Sequence, residues 1–312
     1  MTLPTSPPAS PENRLARIDA ARRAVMHGES ADSLAVEPWI ERSWRRCLDS
    51  GQRPEHKVAF DAVSGPLLRR TLESNRDLVE AARPVLATLG RAIASTRYFA
   101  ILTNAAGVVV DVNGPIDRTD RRATLIARVG VDLSEASVGT TAIGAALIER
   151  SPVWLHRGEH FFNDTSVYSC AGAPLFGPHG QCVGMLDLTG IDAVERPELR
   201  HLVVRSARSI ENALTLRQPH HMLMRINWPG SALGDESDGL IGLDADGWVT
   251  GANPTANQMV PQLVALAREQ IHSSDLFALP FEMLFDVARR AAEPLELPLW
   301  SGLRLRALAQ VA

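Results

Sequence analysis

Lysine is nearly absent from this sequence of 312 residues: of 32 basic side chains only Lys57 is a lysine. That scarcity excludes a phosphate-gripping P-loop, which needs Gly-Lys-Ser/Thr after a glycine-rich turn, because Lys57 follows His56. Cysteine is scarce too. Cys47, Cys170 and Cys182 form an odd, sparse set that fits free thiols in a reducing compartment better than a disulfide framework. No apolar run approaches the roughly 20 residues that cross a bilayer, so no membrane span is expected. Residues 1–11 are rich in Pro, Ser and Thr and lack the basic-then-apolar order of a secretory signal. They read as a disordered start to a cytoplasmic protein. The Gly-x-Ser-x-Gly elbow of serine hydrolases is missing. A net charge of -4 denies the whole molecule a polyanion-seeking field, although local basic clusters remain able to touch nucleic acid.

What is present favours two domains, because 312 residues exceed one small core. Apolar residues recur at helical spacing over 14–27 and 37–48, with Gly28 and Gly51 placed as C-terminal caps. A longer helical pattern opens at Pro66 and carries Pro84 as a kink or break. Residues 98–103 and 108–112 are β-prone runs around the turn-forming 104–107. Ser134 offers a cap for a helix over 138–148, in which Gly139, Thr140, Thr141 and Gly144 keep one face small. A second hairpin spans 170–176 and 183–188, and Pro197 starts a helix running to about Arg217. Hairpins joined by helices, without regular βαβ alternation, predict an antiparallel sheet with flanking helices, an α+β fold. Residues 218–236 are weakly periodic and rich in Pro and Gly, which makes them the linker candidate. Beyond them come a strand-turn-strand around 244–247, a helix opened by Asn253-Pro254, and a closing strand pair over 295–300 and 303–308.

Four motifs in this order resemble one known family: Ser137-Val138-Gly139-Thr140-Thr141-Ala142-Ile143-Gly144, then Glu159-His160-Phe161, then Cys170-Ala171-Gly172-Ala173-Pro174, then Gly184-Met185-Leu186-Asp187-Leu188-Thr189-Gly190. The family is the acetoin-catabolism-regulator type of sigma-54-dependent, Fis-family transcriptional regulator. Ile40-Glu41-Arg42-Ser43-Trp44-Arg45-Arg46 is similar to its Ser-Trp lead-in, and 239–260 to its PAS segment. With the resemblance, the chain reads as a disordered start and N-terminal helices over 1–64, a GAF domain over 65–217, the linker over 218–236 and a PAS-like domain over 237–312. It also implies that a small-molecule effector is sensed, with no catalysis and no cofactor. Members continue into an ATPase and a helix-turn-helix; neither is found in this sequence, so a link to DNA or to sigma-54 RNA polymerase would need domains beyond those seen here. A homodimer through the helices of 66–96 and 197–217 is expected, and so is the absence of any membrane partner. An adaptor acting on a partner that carries the output domain is the alternative function.

Candidate ligand-binding residues are Thr140, Thr141, His160, Cys170 and Asp187. The two threonines have hydroxyls at a helix start that either meet a ligand or bond their own helix. Cys170 is a ligand-contacting thiol or a small buried hydrophobe. Asp187 lies between Leu186 and Leu188, so alternation puts it on the opposite face, lining a pocket or meeting solvent. His160 is a ligand partner or a capped loop residue. His156-Arg157-Gly158-Glu159-His160 matches H-x-x-E-H, the spacing of a zinc hydrolase helix. Gly158 disfavours that helix and 153–155 read as a strand, so a metal-dependent hydrolase is the less favoured reading. Arg42, Arg45 and Arg46 make a basic edge, read as a solvated helix face beside a buried Trp44.

Overall fold

Helix α1 (Pro11–Met26) is the first element in a computed structural model that describes residues 11–30, 35–265, 271–290 and 294–311. The expectation for residues 1–11 therefore lies almost wholly outside the described residues. Helix α2 (Pro38–Asp49) begins with proline at its first turn, where the missing N–H is no loss. Its buried residues Trp39, Ile40, Ser43, Trp44 and Cys47 fall on one face at helical spacing. The helical stretch predicted from Pro66 is two helices, α3 (Gly65–Ser74) and α4 (Arg76–Ala92). The break comes at Asn75, and Pro84 is carried inside α4.

Strands β1 (Tyr98–Asn104) and β2 (Val109–Asn113) form the expected hairpin. Its turn is fastened by Asn104, whose Oδ1 accepts from the amides of Ala106 and Val108, each at 3.0 Å. Gly107, at φ 81°, supplies the left-handed residue that closes it. Helix α5 (Arg121–Ile126) is capped by Asp120, which accepts from Arg122 N at 2.8 Å. The single helix expected over 138–148 is also two: α6 (Glu135–Val138) and α7 (Ala142–Glu149). Gly139 interrupts them at φ 65°, ψ -158°, a region open essentially to glycine alone. Thr141 then restarts the helix by accepting from Gly144 N at 3.2 Å.

Strands β3 (Val153–His156), β4 (Tyr168–Phe176) and β5 (Cys182–Ile191) complete an antiparallel sheet of order β2-β1-β5-β4-β3. Opposite Ile101 of β1 stands Asp187 of β5, and opposite Phe99 stands Thr189. Side chains alternate along strands. Asp187 and Thr189 therefore share a face with Met185, while Leu186 and Leu188 take the other. The first face belongs to a core that includes Ile101, Met185, Tyr168 and Cys170. Ile18 and Val25 of α1 and Trp39 and Trp44 of α2 are buried in that same core. The N-terminal helices are thus part of the first domain's interior, not a lead-in to it.

Helix α8 (Leu199–Leu216) precedes a second five-stranded sheet of order β8-β7-β6-β10-β9. Its strands are β6 (Met222–Asn227), β7 (Gly239–Leu243), β8 (Val249–Ala252), β9 (Leu295–Pro298) and β10 (Arg304–Val311). Helices α9 (Pro254–Met259), α10 (Gln262–Ala265), α11 (Ser273–Leu276) and α12 (Phe281–Arg290) lie between β8 and β9. The linker expectation for 218–236 needs correction here. Residues 222–227 are β6, the central strand, flanked on both edges by β7 and β10. Met222, Met224 and Ile226 alternate into the second core. His220, Pro219 and Pro229 gave the stretch its linker-like look while hiding a six-residue strand between them.

By compactness the chain divides into two units. One contains Leu86–Pro174 and Gly184–Val204 with the chain before Asn75; the other contains Asn75–Val85, Leu175–Val183 and the chain from Arg205 onward. Within the second, Asn253 is a fully buried hub. Its Oδ1 accepts from Leu240 N and Ala256 N, and its Nδ2 donates to the Asp238 carbonyl at 2.8 Å and to Asn212 Oδ1 at 2.7 Å. The architecture is α+β, with two antiparallel sheets, as the hairpin pattern implied. Among the described residues no helix is long and apolar enough to cross a membrane.

Candidate functional site

A cavity of about 30 Å³ lies in the first unit against the sheet face that carries Asp187. Strands β1, β4 and β5 contribute Ile101, Tyr168, Cys170, Asp187 and Thr189, and the start of α7 contributes Thr141, Ala142 and Ile143. Loops close it with Phe60, Leu133 and His160, and a 3₁₀ turn over 163–165 adds Thr165. Most of the lining is apolar, so each polar atom that reaches it is conspicuous.

His160 is fully buried, and its ring Nδ1 lies 3.0 Å from the Arg157 carbonyl. A carbonyl only accepts, so the ring proton sits on Nδ1 and Nε2 is a bare acceptor. Nε2 has no hydrogen-bond partner among the described residues. Burial pushes the His160 imidazolium down to about 4, which keeps the ring neutral at ordinary pH. Asp187 is equally buried. Thr189 Oγ1 donates to its Oδ2, while Oδ1 has no partner among the described residues. Burial pushes this carboxyl up to about 7, and the Thr189 hydroxyl holds it back only partly. Cys170 lies with its sulfur 3.5 Å from Thr189 Oγ1, and its thiol is held well above its ordinary range by burial and then by Asp187. It is a protonated, unreactive thiol.

Four of the five residues singled out from sequence, Thr141, His160, Cys170 and Asp187, therefore line one cavity. Thr140 does not. Its hydroxyl shares a 2.7 Å hydrogen bond with Ser43, and it lies 3.6 Å from Cys47 Sγ, which makes it a rivet between α2 and the turn before α7. Sequence reasoning missed Phe60, Thr165, Tyr168 and Thr189. Tyr168 and Thr189 were within reach, since each stands two positions along a strand from a chosen residue. Phe60, held at φ 52° on a segment without secondary structure, offered no pattern to read.

The H-x-x-E-H segment is not a helix; His156 ends β3, and 157–159 make one 3₁₀ turn. His156 Nδ1 is bonded to Ser169 Oγ at 2.8 Å, whereas His160 faces the cavity. Glu159 Oε2 accepts from the amide of His156 at 2.6 Å, and Oε1 accepts from Arg14 at 3.2 Å. The two imidazoles and the carboxylate are thus committed to separate partners, and among the described residues no cluster of three metal-binding side chains is formed. The basic edge of α2 is also accounted for. Arg42 pairs with Glu149, Arg45 with Glu41, and Arg46 with Glu135.

Residues 18–212, more than half of the chain, match the family profile described as MimR, N-terminal domain. The chain belongs to that family. It is similar to the acetoin catabolism regulatory protein of Cupriavidus necator, 30% identical over 238 residues that cover 74% of this chain and 35% of that protein. It is also similar to the MimR activator of the propane 2-monooxygenase operon in Mycolicibacterium goodii, 30% identical over 200 residues covering 62% and 33%. In fold it resembles a chain of the E. coli DhaR(N)-DhaL complex, with a TM-score of 0.54 at 15% identity, covering 88% of this chain and all of that one. The chain spans about a third of the length of most of the curated relatives it matches. These relatives are transcriptional regulators, in agreement with the family resemblance.

Proposed function

We propose that this chain is the effector-sensing region of a cytoplasmic transcription regulator, and that its effector is a small uncharged molecule bound in the cavity of the first unit. The observation that carries this reading is a pair of fully buried polar atoms, His160 Nε2 and Asp187 Oδ1, left without partners among the described residues in a mostly apolar lining. Buried polar atoms of this kind are costly unless a partner arrives. A ligand with an apolar body and one or two hydroxyls, each able to donate or accept, supplies that partner. With no cationic side chain in the lining, and a carboxyl among the polar groups, anionic ligands are disfavoured. The present volume is room for only one or two water-sized molecules, so an effector of several heavy atoms must part the walls. That movement would give α7 and the 157–163 loop two arrangements for a ligand to select between.

Thermal unfolding of the chain against small alcohols, diols, ketols and organic acids tests the reading. A ligand at about 100 times its dissociation constant adds roughly 2.7 kcal/mol, a shift of several degrees. A saturable shift from neutral hydroxyl compounds, reduced in His160→Gln, supports it; shifts from none of the compounds oppose it. A protein partner is the second reading, favoured by the DhaR(N)-DhaL complex, in which a chain of the same fold was solved with another protein. We also propose self-association through α3, α4 and α8, for which a monomer mass by light scattering at micromolar concentration would be a refutation.

A further inference from the structure

His160 reaches the cavity from a loop that has little regular structure of its own, yet its ring is fully buried. What fixes it comes from outside the sheet. On one side, the Glu159 carbonyl accepts from Trp44 Nε1 of α2 at 2.9 Å, and the Glu159 carboxylate accepts from Arg14 of α1 at 3.2 Å. On the other side, the Phe161 carbonyl accepts from Arg22 of α1, which also donates to Asn163 Oδ1 at 2.9 Å. The carbonyls of the two residues that flank His160 are therefore each gripped by an N-terminal helix. The fit between α1 and the loop is close. A Cβ added to Gly158 would come within 3.2 Å of Asp19 Oδ1 and 3.3 Å of Ile18 Cγ2.

The wall formed by the start of α7 is tied to the same helices. Phe161 N donates to the Thr140 carbonyl at 3.3 Å, joining the loop to the turn before α7. Thr140 is in turn riveted to Ser43, whose hydroxyl donates to Glu135 at 2.5 Å, and Arg46 donates to the same carboxylate at 2.7 Å. A single network thus runs from α1 and α2 through the backs of both walls without entering the cavity.

We infer that Arg14 and Arg22 of α1 and Trp44 of α2 are positioning residues for effector binding, holding His160 in place so that docking of α1 and occupancy of the cavity favour one another. This rests on the effector reading above. The coupling is reciprocal: whatever strengthens the grip of α1 on the loop raises affinity, and an effector that holds the loop tightens α1 by the same factor. Cavity occupancy is thereby made visible at the N-terminal helices.

The comparison of variants uses the full chain without any ligand, so its outcome does not depend on whether an effector is found. Arg22→Gln and Arg22→Lys are compared with the parent by hydrogen exchange and by proton NMR of the histidine rings across pH. In the parent, His160 should titrate near 4 because it is buried. In Arg22→Gln, exchange over 157–163 should rise on the order of tenfold, and His160 should titrate nearer its exposed value of about 6.5. The strand-borne His156 should keep its depressed titration. Arg22→Lys, which keeps one charged donor, should recover part of both effects. If Arg22→Gln unfolds the unit, Asn163→Ala and Trp44→Phe remove single contacts of the network and are read in the same way. Unchanged exchange and titration in folded variants overturn the inference, as does a uniform rise in exchange across the whole unit, which would mark a merely structural role. The response of the parent to ethylene glycol, a small neutral diol, is measured alongside. Local loosening with no diol response would retain the positioning role and count against the effector reading.

Discussion

Replacing Asp187 with asparagine should stabilise the protein, and by an amount that depends on pH. The amide side chain has nearly the shape of the protonated acid and keeps an acceptor for Thr189, so the substitution reports chiefly the cost of ionising the carboxyl. In the folded chain that carboxyl is pushed up from its ordinary 3.8 to about 7 by burial. Below about pH 4 both folded and unfolded parent carry the proton, and the two proteins should be equally stable. As pH rises toward about 7 the unfolded parent releases its proton while the folded parent keeps it, so the parent loses stability and the variant does not. Above about 7 both states of the parent are ionised and the gap is constant. At about 1.4 kcal/mol for each tenfold, its ceiling is on the order of 4 kcal/mol, with relaxation and water entry leaving about 1–3. For a unit of this size each kcal/mol moves the midpoint by roughly 2–4 °C. Calorimetry at about pH 4, 6 and 8, following the transition of the first unit, reads the gap directly. Glu159, raised to about 7, and His156, lowered to about 4, occur in both proteins and cancel in the difference. A gap that stays flat from about pH 4 to 8, or an asparagine variant that is less stable at about pH 8, would refute the reasoning. The same substitution should weaken effector binding, since it trades a strained site for a relaxed one.

Three further outcomes are expected. Gly139→Ala should cost on the order of 2–4 kcal/mol by thermal unfolding, because alanine there meets a glycine-only backbone region. Its methyl would also lie 2.8 Å from the Phe162 ring. Asn253→Ala should destabilise the second unit by about 2–4 kcal/mol, since it removes a helix cap and leaves Leu240 N short of a buried partner. Brief iodoacetamide treatment of the native chain should label the half-exposed Cys182 and spare the buried Cys47 and Cys170, with peptide mass spectrometry as the readout. Fast labelling of Cys170 would show that the cavity opens far more readily than its burial implies.

The hairpins, helix α8 and the pairing of β9 with β10 were legible from sequence because turn chemistry and periodicity agreed at each of them. Asp187 could be placed opposite Leu186 and Leu188 by alternation alone, but not assigned to a pocket, because both faces of β5 are buried and its pattern is apolar throughout. The break at Gly139 was hidden for a related reason: small residues on both sides read as one smooth helix face, whereas the backbone angle there is a tertiary demand. Two misplacements share a cause. The strand 222–227 was lost among prolines and histidines, and the N-terminal helices were set outside the first domain. In both, the deciding contacts are remote in sequence: Trp44 with Glu159, and β6 with β10. Local propensity carries no record of such partners.

The central position of β6 bears on where this chain can be divided. Strands β7 and β8 form one hairpin and β9 and β10 another, and β6 alone pairs with both. A fragment begun at residue 237, the boundary that composition recommends, would hold two ribbons with no strand between them. Each would present an unpaired inner edge open to the matching edge of another copy. Begun a few residues before Met222, the same fragment would carry its own keystone, so the choice of starting residue separates a domain that closes on itself from one that closes on its neighbours.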